Sequence, residues 1–465
     1  MAFDSLTYLL FLAGVAALFF SAPKILRVPL LVGASLVFYA AWSAPLVGLI
    51  LISAAVDFGV GLGLERAQSR RARRLLLALS VTVNLGLLAA FKYAAFVLEN
   101  LQALGLAHGV RFAGVATPPG ISFYTFQTLS YSIDVYRRAL RPTRSPLRFL
   151  LYVSFFPQLI AGPIERAGNL LLQLRRAVTL GPSARNWAAG LQLILLGLFK
   201  KAVLADHLAP YADAAFADPS AVSGWTVIVG TYAFALQIYF DFSAYSEIAK
   251  GSARLFGVDL VWNFDQPYLA GDIAAFWRRW HMSLSSWFRD YVFIPLGGSR
   301  GGRARALRNL VITMFLSGLW HGAAWSFVLW GLYHGALLLG HALWRRAALA
   351  QRLAARAPGW YRLLGWLLTF ELVTLGWILF RAAEDRHIPA LLRLVASPGA
   401  PDASQLVAVI GVHALCGLWY LERRLRLRTV VHRSAALSLL VYGALAVITA
   451  LFARDDGPQF IYFQF

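Results

Sequence analysis

Long uncharged stretches set the rhythm of this chain. Ser5–Pro23 carries no acidic or basic residue, and neither does Val28–Val56, which is interrupted at Trp42-Ser43-Ala44-Pro45. Leu75–Phe91, Pro219–Phe240, Ala403–Leu421 and Ser434–Ala453 are of the same kind. About 20 apolar residues span a bilayer as a helix, so each stretch predicts one pass and the interrupted one predicts two. Asn309–Trp344 runs for 36 residues without Asp, Glu, Lys or Arg, which suits a helical hairpin. Ile121–Tyr136, Ala188–Leu204 and Leu363–Phe380 give three weaker passes, each holding a charged residue. Lipid offers the backbone no hydrogen bonds, so the passes must be helices. Phe149–Pro163 and Phe276–Pro295 are apolar but broken by Pro or charge and flanked by basic segments. They read as helices that dip in from one face and return. The prediction is an all-α polytopic membrane protein of about 12 transmembrane helices plus re-entrant helices, a single integral-membrane domain over residues 1–465. The first stretch has no basic segment before it and no obvious cleavage site, so it reads as a retained helix.

Composition agrees. Apolar residues make up 59% of the 465 and charged residues only 14%, against about 45–50% and about 25% in soluble domains. That excludes a soluble enzyme and a disordered chain. The single Cys416 excludes a disulfide framework and a Cys-based zinc site, and no other metal-ligand pattern stands out. The net charge is +21, which suits nucleic acid, an anionic membrane surface or basic cytoplasmic loops. Position decides between them. With the N-terminus outside, 35 of the 43 Lys and Arg fall in inner loops and the second dipping stretch. The acidic segment Asp206–Asp218, read as a loop, falls outside. The basic excess is therefore a topology signal, no nucleic-acid partner is expected, and both termini are placed outside.

Polar groups inside lipid are costly and suggest function. His321 lies within the 36-residue uncharged run, followed by Gly322, Ala323 and Ala324. A neutral imidazole there suits a general base; an interhelical hydrogen bond is the alternative. Asp241 and Tyr245 are four apart and share a helix face, which suggests a structural polar pair. Trp277, Trp280, His281 and Ser285 fall on helical spacing, with Arg278, Arg279 and Arg289 beside them. Those arginines suit a phosphate-bearing thioester, or follow from the positive-inside rule acting on a dipping helix. The hydroxyl-rich Pro118–Arg138 reads as interhelical glue or as the lining of a polar funnel. His334 and His341 read as structural. Residues 457–465 form an apolar tail after the last pass, whose plain role is an interfacial aromatic anchor.

Taken together, PPGISFYTFQTLSYSIDVYRR, FFPQLIAGPIER, YFDFSAYS, NFDQPY, FWRRWHMSLSSWFRDYVFIPLGG, LWHGAAWSFVLWG and the final FIYFQF closely resemble the membrane-bound O-acyltransferase family. Within it the chain looks most like the bacterial alginate O-acetyltransferase branch. The matching core covers about 118–335, and the flanks match only in their passes. The resemblance implies a ring of helices around a thin centre with a central tunnel. It implies that His321, in Trp-His-Gly, is the catalytic base, and that His281 is the second polar position, serving binding, structure or chemistry. Trp277, Arg278, Arg279 and Ser285 are the candidate donor contacts, on the residue reading above. The resemblance implies no permanently bound cofactor, and acetyl-CoA or another acyl thioester as the cytoplasmic donor substrate. The acetyl group would go to an exported polysaccharide through a periplasmic acetyltransferase partner, from a bacterial inner membrane. Tyr462 in the tail is a candidate acyl relay, because a phenol accepts an acyl group once a base takes its proton. Alginate, cellulose, peptidoglycan and D-alanyl export from a carrier protein remain open. A lipid-linked sugar flippase would show internal symmetry, which the sequence lacks. A structural subunit of a secretion complex would not need His321.

Overall fold

The computed structural model describes residues 1–107, 109–110, 117–382, 384–454 and 457–463, and the regular structure among them is all helical. Each stretch read as a pass lies on a helix. Among the described residues, eight helices are long and apolar enough to cross a membrane: Ala44–Arg66, Arg70–Ala103, Ala184–Ala217, Gly224–Leu255, Trp325–Trp344, Pro358–Arg381, Ala403–Leu425 and Ala435–Phe452. The other four stretches lie on Leu6–Ser21, Arg27–Ala40, Ile121–Tyr136 and Arg303–His321. The first three of these have only 16, 14 and 16 residues, and the fourth opens on Arg303, Arg305 and Arg308. A count of twelve crossings is therefore not reached on length and apolarity alone. Leu439, Leu440 and Leu451 stand exposed along Ala435–Phe452, as side chains do when lipid is their solvent. The apolar window of Gly224–Leu255, by contrast, is 89% buried.

Contacts divide the chain into two compact units, residues 1–197 with 245–262, and residues 198–244 with 263–465. In the first, Asp57 is buried in a polar knot. It accepts from Ser80, from Ser132 at 2.5 Å and from Asn84 at 2.6 Å. Asn84 in turn accepts from Ser53 at 2.6 Å and from Thr128 at 3.1 Å. Ser132 and Thr128 thus tie helix Ile121–Tyr136 to its neighbours as interhelical glue. Arg27 donates to the carbonyls of Val178 at 3.3 Å and Leu180 at 2.6 Å.

The second unit holds the candidate site. Its centre is the antiparallel hairpin of Arg303–His321 and Trp325–Trp344, which packs on Pro358–Arg381. A β-carbon on Gly318 would lie 3.0 Å from the Gly331 Cα and collide with the Phe327 carbonyl. The two glycines therefore let the helices approach backbone to backbone.

Phe149–Pro163, read as a broken stretch, consists of Pro146–Ser154 and Phe156–Leu159 with the chain beyond them. Two local features depart from the sequence reading. In Phe276–Pro295, Ile273–Trp277 stops, Met282–Phe288 begins afresh, and Arg289–Phe293 is π-helical. The helical spacing of Trp277, Trp280, His281 and Ser285 thus fails across residues 278–281. Second, Asp206–Asp218 is no loop. Residues Asp206–Ala217 form a helix, with Asp206 buried.

Candidate active site

Local geometry delivers His321 to the turn of the hairpin. It is the last residue of its helix, and Gly322 follows in extended backbone. A β-carbon at Gly322 would collide with the Phe327 ring, so glycine is required by space rather than by dihedral angle. The next helix starts at Trp325, and its first amides, those of Trp325 and Ser326, donate to the Asp385 carboxylate at 3.1 and 2.8 Å. An acid at a helix N-terminus satisfies orphan amides and the dipole together. That pins the turn holding His321.

The His321 ring is 4% exposed. Trp320 and Trp330 lie with ring centroids 5.0 Å away, Phe380 at 5.3 Å and Tyr462 at 5.8 Å. Four aromatic rings thus surround the buried imidazole.

His281 is fully buried and occupies the break between the two short helices, with φ 42° and ψ 55°. Left-handed backbone is uncommon for a residue with a side chain. Asn263 holds it there: its carbonyl accepts from the Met282 amide at 2.8 Å and its side chain from Ser283 at 2.6 Å. The ring meets Phe242 at 4.7 Å, Trp320 at 5.9 Å and Tyr462 at 6.5 Å. Burial pushes this imidazole well below its ordinary value.

Tyr462 completes the group. Its ring packs on Phe242 at 4.4 Å and Phe460 at 5.6 Å, and burial raises its phenol above the ordinary range. His321, His281 and Tyr462 are thus brought together, with Phe242 and Trp320 between them. Gln464 and Phe465, the rest of the predicted tail, lie outside the described residues.

The remaining predicted residues are dispersed. Asp241 pairs with Lys201 at 3.4 Å and accepts the Ile461 amide at 2.7 Å. Tyr245, one turn on and in the first unit, donates instead to Asp4 at 3.1 Å. Arg278 is exposed and Arg279 half-buried. The Ser285 hydroxyl donates to the Trp280 carbonyl at 3.1 Å. Trp277 packs against Trp330 at 5.6 Å and His334 at 5.1 Å.

That last contact exposes something sequence reasoning missed. Among the described residues, both ring nitrogens of His334 and the indole nitrogens of Trp277 and Trp330 are buried with no hydrogen-bond partner. Buried polar atoms without partners are uncommon and need an explanation, such as water or a ligand. These line one side of Trp330, whose ring also borders His321. His334 reads from sequence as one more intramembrane imidazole, and only packing reveals its neighbours. Lys201 was equally hidden, although a Lys pair inside an apolar pass is a usable signal.

Two buried imidazoles and a phenol among aromatic rings can move a proton and accept an acyl group. Sequence relatives decide the class of chemistry. The model of MBOAT, the membrane-bound O-acyltransferase family, matches residues 71–375. The chain belongs to this family. It is accordingly a multi-pass membrane O-acyltransferase. It is 41% identical over 391 residues to the probable alginate O-acetylase AlgI of Azotobacter vinelandii, covering 82% of this chain and 75% of the relative. It is 36% identical to a peptidoglycan O-acetyltransferase of Helicobacter pylori, over 76% of this chain and 70% of that one. The teichoic acid D-alanyltransferase of Bacillus subtilis is more distant, at 29% over 58% of this chain and 69% of its own. In this O-acyltransferase the matched span contains His281 and His321 but not Tyr462.

Proposed function

We propose that this O-acyltransferase carries an acetyl group from a cytoplasmic thioester, acetyl-CoA by preference, to Tyr462 and on to an exported polysaccharide. His321 takes the phenol proton. The Tyr462 oxygen attacks the thioester carbonyl, a C–O bond forms, the C–S bond breaks, and the leaving thiolate takes the proton back from His321. In the second step an acceptor hydroxyl attacks the tyrosyl ester. A new C–O bond to the acceptor forms as the tyrosyl C–O bond breaks, and the proton of the acceptor hydroxyl passes to the Tyr462 oxygen. His281, neutral in its pocket, shapes the wall on which the two reacting rings pack. The observation that carries this reading is the approach of the Tyr462 and His321 rings, 5.8 Å between centroids, with His321 buried among aromatic rings.

The orphaned nitrogens of Trp277, Trp330 and His334 support the donor half. They are the partners an amide or thioester carbonyl would need beside His321. The acceptor half draws on relatives named for alginate and peptidoglycan O-acetylation, with alginate the reading preferred. A periplasmic partner would complete the transfer from an inner membrane, with both termini periplasmic.

Two substitutions test it. His321→Ala should reduce polymer acetylation by at least about 100-fold, the usual scale for a lost general base, with the protein still present in the membrane. Tyr462→Phe keeps the ring and removes the hydroxyl, and should abolish transfer as completely. Acetylation is read on the isolated polymer. Wild-type acetylation by His321→Ala would remove the base, and wild-type acetylation by Tyr462→Phe would leave that residue an anchor.

A further inference from the structure

The C-terminal tail is held by charge as well as by apolar packing. Lys201 lies in a π-helical segment, Lys200–Ala205, within the long helix Ala184–Ala217. A π-turn shifts the register of side chains and often marks a functional site. Here it aims Lys201 inward. The side chains of Lys201, Asp206 and Asp241 are 2%, 4% and 3% exposed. Lys201 Nζ lies 2.6 Å from Asp206 Oδ1 and 3.4 Å from Asp241 Oδ1. It also donates to the Pro458 carbonyl at 2.7 Å. From the other side, the Ile461 amide donates to Asp241 Oδ2 at 2.7 Å.

The tail is thus gripped at two backbone atoms three residues apart, through its carbonyl by a cation and through its amide by an anion. Gly457 rests on Asp206, where any β-carbon would collide with the carboxylate. Phe460 and Ile461 are buried, and Tyr462 follows at once. Phe242, next to Asp241, carries the Tyr462 ring. One turn of Gly224–Leu255 therefore supplies both an anchoring charge and the surface on which the phenol packs.

Buried ion pairs add little net stability, because desolvation offsets their attraction, but they can fix register. A purely apolar tail could slide along an aromatic groove. The two grips hold backbone atoms, and Gly457, the one glycine of the tail, sets the register in which they close, because a β-carbon at that place would collide with Asp206. We propose that Lys201, Asp206 and Asp241 are positioning residues, an ionic latch that seats the tail so that Tyr462 meets His321. The inference rests on the relay reading of Tyr462 for its purpose, but the seating of the tail can be measured separately.

The first measurement does not involve transfer. Ile461→Cys places a thiol on the seated tail, where Cys416 is the other cysteine and is itself buried. Maleimide should label the introduced thiol slowly in the otherwise native protein. Labelling should rise at least tenfold when Lys201→Met and Asp206→Ala are added together, a pairing that avoids stranding a buried ammonium. Unchanged labelling would overturn the latch.

The second measurement replaces the ionic grip with a covalent one. A β-carbon on Gly457 would lie 3.4 Å from the Asp206 Cβ, close to the separation a disulfide needs. Lys201→Met with Asp206→Cys should lose at least tenfold in transfer while the protein stays in the membrane. Adding Gly457→Cys and oxidising should restore transfer, and reduction should remove it again. A verified disulfide without recovery would overturn the positioning role. Tyr462→Phe in the native background reports on the relay alone, so normal transfer there would remove the relay while the labelling result still decides the latch.

Discussion

Trp330 stands between two imidazoles, with His321 at 5.0 Å and His334 at 4.8 Å. One face of this indole borders the proposed reacting group, and its neighbours Trp277 and His334 offer polar atoms that nothing in the described protein satisfies. An unmet buried donor costs roughly 1–3 kcal/mol, which a ligand carbonyl would recover on binding. Trp277→Phe keeps an aromatic ring, smaller than the indole, and deletes the N–H. Losing one neutral hydrogen bond of about 0.5–1.5 kcal/mol should raise the KM for the acyl thioester about 2- to 10-fold, with little change in membrane level. Steady-state kinetics over donor concentration would check this, and an unchanged KM would assign Trp277 to packing alone. His321 and His281 were legible in sequence through their motifs. The cage was not, because Phe380 and Phe242 come from distant segments and aromatic residues are plentiful throughout the chain. Lys201 stood among basic residues that the topology left over, and nothing along the chain pairs it with Asp241, forty residues on.

The hairpin is the element on which the chemistry depends. Its corner is Gly322, set against the Phe327 ring, and its shaft is the Gly318–Gly331 contact. Gly322→Ala should force the ring aside or move the last turn carrying His321, at a cost of about 1–3 kcal/mol for overpacking. Thermal unfolding of the detergent-purified variant should show a lower Tm together with reduced transfer. Adding Phe327→Leu should recover part of both, and a variant as stable and active as the parent would show the corner to be slack. The hairpin itself was legible, because 36 uncharged residues are too many for one helix and right for two. The break at residues 278–281 was not. A periodicity of 3.6 assumes an unbroken helix, and the turn that isolates His281 depends on Asn263 from another segment. The π-helical segments escaped for the same reason, since one extra residue per turn leaves no compositional trace.

At the scale of the whole molecule, charge rather than apolarity fixes orientation. With the N-terminus outside, the basic clusters at Arg66–Arg74, Arg137–Arg148, Arg345–Arg362 and Arg423–Arg433 share the inner side. Eight Lys and Arg lie outside the inner loops and the second dipping stretch, and three of them meet acidic partners. Arg381 meets Asp213 at 2.6 Å, Arg386 meets Glu384 at 2.5 Å and Lys201 meets Asp206 at 2.6 Å. Each has a local acidic partner, whereas the exposed Arg70, Arg71 and Arg424 lie in dense positive clusters. An arginine already neutralised by its own fold has less hold on topology than one in such a cluster. Reporter tags at Arg70 and Arg424 should therefore read cytoplasmic, and tags near Asp213 and at the C-terminus periplasmic. Substituting Asp213 by Asn frees Arg381 but adds only one unpaired cation to that side, so the orientation should persist. A cytoplasmic C-terminus would put the tail on the side of the proposed thioester donor, and Tyr462 could then not deliver an acetyl group outward.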